Sequence, residues 1–295
     1  MLSDYTMGKL PFCDVYFNAI VCDKSGRKFS KTLDNGIDPI EVLDTHGADA
    51  VRFTCVNIAP LGGRLKMELS DFDTGKRFVS KIWNANRYLA SHLKTQQIED
   101  FDDNLDLPSQ WILEEFRVAT KKIHQSFCDY KIHEAAHSLY HLTWHSFCDW
   151  TLESLKVSLQ DSSNKNSLSV ALYVWHGILR LLAPVMPFVS DKIYQDLPCH
   201  PRWEKSESLV TASFPKAADQ KNYEKEHLVW QSIKEIISSI RSTRTQGGLS
   251  FKEQTDVSLR CQDHFIESIK KSYPWLKSLS GIRTLKYSAD EKRPD

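Results

Sequence analysis

Apolar residues recur with helical spacing between about residues 71 and 242, and strand-like runs are confined to the two ends of the chain. Phe72, Phe78, Val79, Ile82, Trp83, Tyr88 and Leu89 mark a first helix, and residues 111–127 a second. The third, at 132–159, is long and amphipathic, with Ala136, Leu139, Tyr140, Trp144, Phe147, Trp150 and Leu155 on one wide apolar stripe. A polar linker at 160–167 leads to a fourth helix that ends at Pro184. A fifth covers 187–197 and, after a loop-rich stretch, a sixth covers 224–244. Beyond Gly247 and Gly248 the period changes. Residues 255–261 alternate like a strand, 264–273 read as a helix and 282–287 as a second strand, which predicts a small α/β tail.

Near the N-terminus, residues 15–22 (VYFNAIVC) form a short apolar, aromatic and β-branched run, the pattern of a largely buried strand. The next stretch, Gly26-Arg27-Lys28-Phe29-Ser30-Lys31-Thr32-Leu33-Asp34-Asn35-Gly36-Ile37-Asp38-Pro39, gathers cations, hydroxyls and glycines into a turn suited to holding phosphate. It feeds a strong helix start. Asp38 is placed as N-cap, Pro39 at the first helical position and Glu41 to complete a capping box, with Gly47 as the stop. Lys24, Arg27, Lys28 and Lys31 at an ordinary solvated hairpin end would look much the same, so the loop alone does not fix the chemistry.

Lys28-Phe29-Ser30-Lys31-Thr32 resembles the KMSKS signature of class I aminoacyl-tRNA synthetases, and its surroundings resemble valyl-tRNA synthetase. The similarity starts at Leu10-Pro11-Phe12 and Val15-Tyr16 and continues through Ile37-Asp38-Pro39 and Gly47-Ala48-Asp49-Ala50-Val51-Arg52-Phe53. Further matches in the same order are Lys81-Ile82-Trp83-Asn84-Ala85-Asn86-Arg87-Tyr88, Phe147-Cys148-Asp149-Trp150-Thr151-Leu152-Glu153, Leu182-Ala183-Pro184-Val185-Met186-Pro187-Phe188 and Ile240-Arg241-Ser242-Thr243-Arg244. Nearly the whole chain is covered.

The resemblance implies a mainly α chain: residues 1–63 as the C-terminal piece of a Rossmann-type catalytic domain, 64–245 as an α-helical anticodon-binding bundle, and 246–295 as a small α/β region. It implies ATP-dependent attachment of valine to tRNA(Val), with Mg2+ arriving on the nucleotide. Attack of a carboxylate on the α-phosphate of ATP builds charge on the pyrophosphate leaving group, which cations on a mobile loop can offset. Lys31 is then the principal phosphate contact, Lys28 the second cation and Ser30 a hydroxyl donor, with Gly26 and Gly36 as bending points. Candidates for tRNA contact are Lys81, Asn84, Arg87, Lys94, Arg241 and Arg244, beside Trp83 and Tyr88, which could stack on unpaired bases. At helical spacing, those two aromatics also read as core, and lone cations as simply solvated.

The sequence departs from the family at Phe29 (usually Met), Thr32 (Ser), Asp34 (Gly), Gly36 (often Val) and Arg64, where an acidic residue often follows a glycine. Asp34 sets a negative charge beside a phosphate loop and removes a flexible position. No His-x-Gly-His is present; the nearest string, Trp175-His176-Gly177-Ile178, lies inside an apolar helical pattern. The expectation is therefore that this chain is inactive alone. One strand cannot make a parallel sheet, so the first 60 residues or so either pack on the helices or pair with a missing N-terminal catalytic half supplied as a separate chain. A stand-alone tRNA-binding or regulatory module derived from such an enzyme is the alternative.

With 295 residues, 41% of them hydrophobic and 26% charged, the chain can bury a sizeable core and hold two domains. Its 38 Lys plus Arg balance 38 Asp plus Glu, so nucleic-acid binding has to come from local patches. The sequence has no apolar run of membrane-spanning length and no signal-peptide pattern, which leaves a cytoplasmic address and no membrane partner as the expectation. Seven cysteines without a CxxC pair read as reduced and buried. His133-Glu134-Ala135-Ala136-His137 matches the HExxH pattern of zinc metallohydrolases. His141 and His145 extend it as the flank of an amphipathic helix, and the metzincin extension is broken by Tyr140 and Thr143. No structural metal is expected.

Overall fold

The computed structural model describes residues 2–59, 62–93, 98–161, 166–217, 221–250, 253–261 and 263–288. After a short helix α1 (Leu2–Met7), strand β1 (Ile20–Cys22) leads through the basic loop to helices α2 (Pro39–His46) and α3 (Ala48–Ile58) and strand β2 (Arg64–Lys66). Asp38 caps α2 by accepting the Ile40 N–H at 2.9 Å, Pro39 opens the helix, and Gly47, at φ 85°, ends it.

Helices α4 (Phe72–Leu93), α5 (Leu107–Cys128), α6 (Ile132–Tyr140), α7 (Leu152–Ser158), α8 (Asn166–Leu182), α9 (Pro187–Asp196) and α10 (Glu224–Gln246) follow. Their inward faces form one continuous core in which Trp111, Trp175 and Trp230 are fully buried. Phe147 stacks on Trp175 with centroids 5.0 Å apart. Two glycines allow close approaches. A Cβ on Gly75 would sit 2.3 Å from the Ala50 carbonyl oxygen, and one on Gly177 would sit 2.1 Å from the Phe116 ring. The tail consists of β3 (Thr255–Arg260), α11 (Asp263–Lys271), α12 (Tyr273–Ser280) and β4 (Ile282–Ser288), with β3 and β4 parallel.

Five expectations are corrected. The strand anticipated at 15–22 is regular only at Ile20–Cys22, and Val15 (60% accessible) and Phe17 (74%) are exposed because no layer covers them. β1 does have a partner, since Ile20, Val21 and Cys22 pair in parallel with Arg64, Leu65 and Lys66, a strand too short and too charged to announce itself. The long third helix is continuous but rewinds into a π-helix over His141–Thr151, where the Thr151 hydroxyl donates to the Ser146 carbonyl five residues back. Cys13 and Cys128 are exposed rather than buried. In the tail, the anticipated single helix is two, separated at Ser272, because Pro274 has no N–H to continue the first.

Candidate functional site

The basic loop folds back on β1. Phe29 N–H donates to the Val21 carbonyl at 3.2 Å and Asp23 N–H to the Arg27 carbonyl at 2.9 Å, so the loop forms a hairpin with Gly26 in the left-handed region at φ 78°. Phe29 packs with Val21, Ile37 and Val51 against a small core of Val42, Met67 and Phe72, which seats the loop on α2 and α3. Ser30 caps a short 3₁₀ turn, Lys31–Leu33, by accepting the Thr32 N–H at 3.2 Å. Its own hydroxyl proton remains available to an acceptor.

Four cations crowd this hairpin, and the geometry sorts them. Lys24 pairs with Glu68 at 2.5 Å and Arg27 with Asp23 at 2.8 Å. Lys28 and Lys31 are exposed and pair with no carboxylate among the described residues. The two unpaired cations are the two motif lysines. Arg64 reaches the loop from β2, donating to the Gly26 carbonyl at 3.3 Å. The second bend lies at Asp34 (φ 44°, ψ 37°) rather than at Gly36, so an aspartate occupies a backbone conformation that glycine adopts without cost. Asn35, passed over in the sequence, accepts the Ser30 N–H at 2.9 Å and donates to Asp23 at 2.9 Å and to the Lys28 carbonyl at 3.3 Å.

The sequence-matched segments meet in space. Asp49 on α3 accepts the N–H groups of Phe188 (3.2 Å) and Val189 (2.6 Å), capping α9, and its burial raises its pKa. Arg52, one turn on, donates to the carbonyls of Pro184 (2.9 Å) and Val185 (3.0 Å). On the bundle, Lys81 pairs with Asp149 at 2.8 Å and lies 5.0 Å from the Trp144 ring centroid. Asn84 and Arg87 are exposed beside Trp83, which stands out of the core at 42% accessibility, whereas Tyr88 packs against it. Lys94 lies outside the described residues.

The remaining tRNA candidates have structural partners. Arg244 is buried and donates to Thr255 Oγ1 (2.9 Å) and to the carbonyls of Gly281 (2.8 Å), Ser250 (2.8 Å) and Glu253. It ties α10 to the tail and offers no solvent-facing charge. Arg241 is half-buried, donating to the Leu279 carbonyl at 2.7 Å. In the HExxH string, His137 is exposed and Glu134 lies 3.7 Å from Lys131. No group of three potential ligands that could hold a metal occurs among the described residues. No described helix is long and apolar enough to cross a membrane.

Residues 109–259, half of the chain, match the family model "Anticodon-binding domain of tRNA ligase". The chain belongs to that family. Residues 1–68 match "tRNA synthetases class I (I, L, M and V)", a span that includes both β1 and β2. The valine–tRNA ligase of Petrotoga mobilis is 34% identical over 96% of this chain and 33% of its own length. Those of Fervidobacterium nodosum (34%; 98% and 32%) and Pseudothermotoga lettingae (35%; 94% and 31%) are similar. The chain thus spans about a third of the length of these relatives, in their C-terminal part. A solved LeuRS from Agrobacterium radiobacter K84, in a ternary complex with tRNA and LeuAMS, superposes with a TM-score of 0.55 at 21% identity. That match covers 71% of this chain and 24% of the other and identifies the fold.

Proposed function

We propose that this chain supplies the phosphate loop and the tRNA-binding bundle for ATP-dependent attachment of valine to tRNA(Val). The observation that carries this reading is the sorting of the loop cations: Lys24 and Arg27 are neutralised locally, while Lys28 and Lys31 present unpaired ammonium groups to solvent. Free cations on a hairpin seated against α2 and α3 fit an anionic ligand that arrives from outside. In the reaction, Lys31 and Lys28 approach the phosphates of ATP and offset the charge that builds on pyrophosphate as the α-phosphate is attacked. The Ser30 hydroxyl, with its proton free, donates to a phosphate oxygen. Mg2+ enters with the nucleotide. On α4, Asn84, Arg87 and the projecting Trp83 offer charge, amide and a stacking face to unpaired bases.

The 295 residues contain no His-x-Gly-His segment, and in this reading the adenine-binding and valine-selecting parts belong to a complementary N-terminal half. The test is valine-dependent exchange of pyrophosphate into ATP. The chain by itself shows none; supplied with a complementary half in trans, it does. In that reconstituted system Lys31→Ala lowers turnover roughly a hundredfold with little change in tRNA affinity. Exchange by the chain alone would overturn the inventory of parts it lacks, and an equal loss in turnover and tRNA affinity would overturn the assignment of the loop.

A further inference from the structure

We propose that Asn35 is a positioning residue: its carboxamide, anchored on Asp23, closes the loop into a clasp that fixes Lys28 and Lys31 for phosphate binding. This rests on the reading of the loop as a phosphate site. Asn35 spans the loop with three contacts, accepting the Ser30 N–H (2.9 Å) and donating to the Lys28 carbonyl (3.3 Å) and to Asp23 Oδ2 (2.9 Å). The orientation of the amide follows from these partners. Flipping it would set its oxygen against a carboxylate and a carbonyl, and its NH₂ against an N–H donor.

Asp23 is a firm anchor. Its carboxylate accepts the Arg27 N–H at 2.9 Å and the Arg27 Nε–H at 2.9 Å in addition to Asn35. The Asn35 amide and then the Arg27 backbone N–H hold its pKa down at about 2, so it stays ionised at neutral pH. Apart from Asn35, the loop's ties to β1 run through the hairpin bonds of Arg27 and Phe29. Asn35 is thus the contact that fixes the segment carrying both lysines on its far side, where Asp34 makes its left-handed turn. A backbone ordered before the ligand arrives lowers the entropy lost on binding.

The test combines tripolyphosphate titration of the full chain with the hydrogen-exchange rate of the Ser30 amide, using Asn35→Ala, Asn35→Asp and Asn35→Asp with Asp23→Asn. Asn35→Ala should speed Ser30 exchange and weaken tripolyphosphate binding, each roughly tenfold, with the melting temperature held, because the side chain belongs to neither apolar core. Asn35→Asp should bind more weakly still, as two carboxylates face each other. Adding Asp23→Asn restores a donor opposite the new acceptor and should recover most of the affinity, which loss of packing alone would not do. Unchanged Ser30 exchange and affinity in Asn35→Ala, or no recovery in the double variant, would overturn the role of Asn35. No tripolyphosphate binding by the unaltered chain would overturn the phosphate reading itself, and the clasp's purpose with it.

Discussion

Arg52 donates to the carbonyl of Pro184 at 2.9 Å across 132 residues of sequence, joining α3 to the corner between α8 and α9. The same guanidinium takes the Val185 carbonyl at 3.0 Å, while Asp49 on the same helix caps α9, so both sides of that corner are held from one helix. Arg52→Ala leaves those carbonyls without their charged donor and should cost about 1–3 kcal/mol, read as a lower denaturation midpoint at constant slope. Arg52→Lys should recover only part of it, because an ammonium lacks the planar fork. An unchanged midpoint in Arg52→Ala would mean that the corner is held by packing alone.

Acid should destabilise the bundle in a defined window. His176 and His200 are fully buried, and burial pushes the pKa of each down to about 4 from an ordinary value near 6.5. The folded state therefore binds fewer protons than the unfolded state between those limits, and stability present above pH 6.5 is lost as the pH falls toward 4. Each group contributes up to roughly 3 kcal/mol of that loss. His176 donates to the Pro198 carbonyl at 2.9 Å, so His176→Gln can keep a donor there without titrating. Urea titrations between pH 7 and 4 should show a shallower loss for His176→Gln, and an equally steep one would place the acid sensitivity elsewhere.

The sequence made the helices legible because their apolar stripes are long and periodic. α5, α8, α9 and α10 begin and end within a few residues of the expected positions. The N-terminal unit was less legible, since β2 is three residues, two of them charged, and pairing with β1 is a long-range event that leaves no local pattern. The π-helical stretch at His141–Thr151 lies against α5 and α4, and its apolar stripe reads the same as that of an ordinary α-helix. At the site, the resemblance to a known signature singled out Lys28, Ser30 and Lys31, but only the fold reveals which cations are neutralised and that Arg244 is an internal strut. Asn35 was hidden because its partners, Asp23, Lys28 and Ser30, meet only when the hairpin closes.

Asp34 provides a separate probe of the loop. An aspartate at φ 44° is tolerated at a cost that glycine avoids, although glycine has more freedom to lose on folding. Asp34→Gly should therefore shift stability by less than about 1 kcal/mol in either direction. In water two unit charges roughly 8 Å apart repel by about 0.5 kcal/mol, and a polyanion brings several such charges, so removing the carboxylate should tighten tripolyphosphate at least two- to threefold. Isothermal titration at low salt measures this. Weaker binding in Asp34→Gly would show that the carboxylate helps to form the site.

The most direct measurement of the central claim is the affinity of this chain for two transcripts, tRNA(Val) and the same tRNA with a changed anticodon, titrated at fixed ionic strength. The chain has no net charge, with 38 cations balancing 38 anions, so affinity has to come from a local face such as Asn84 and Arg87 with Trp83 beside them. The salt dependence should accordingly correspond to only a few phosphate contacts. Unpaired anticodon bases offer edges and stacking faces that a duplex withholds. The account predicts tighter binding of the unaltered tRNA(Val); equal affinity for both, or none for either at low salt, would contradict it.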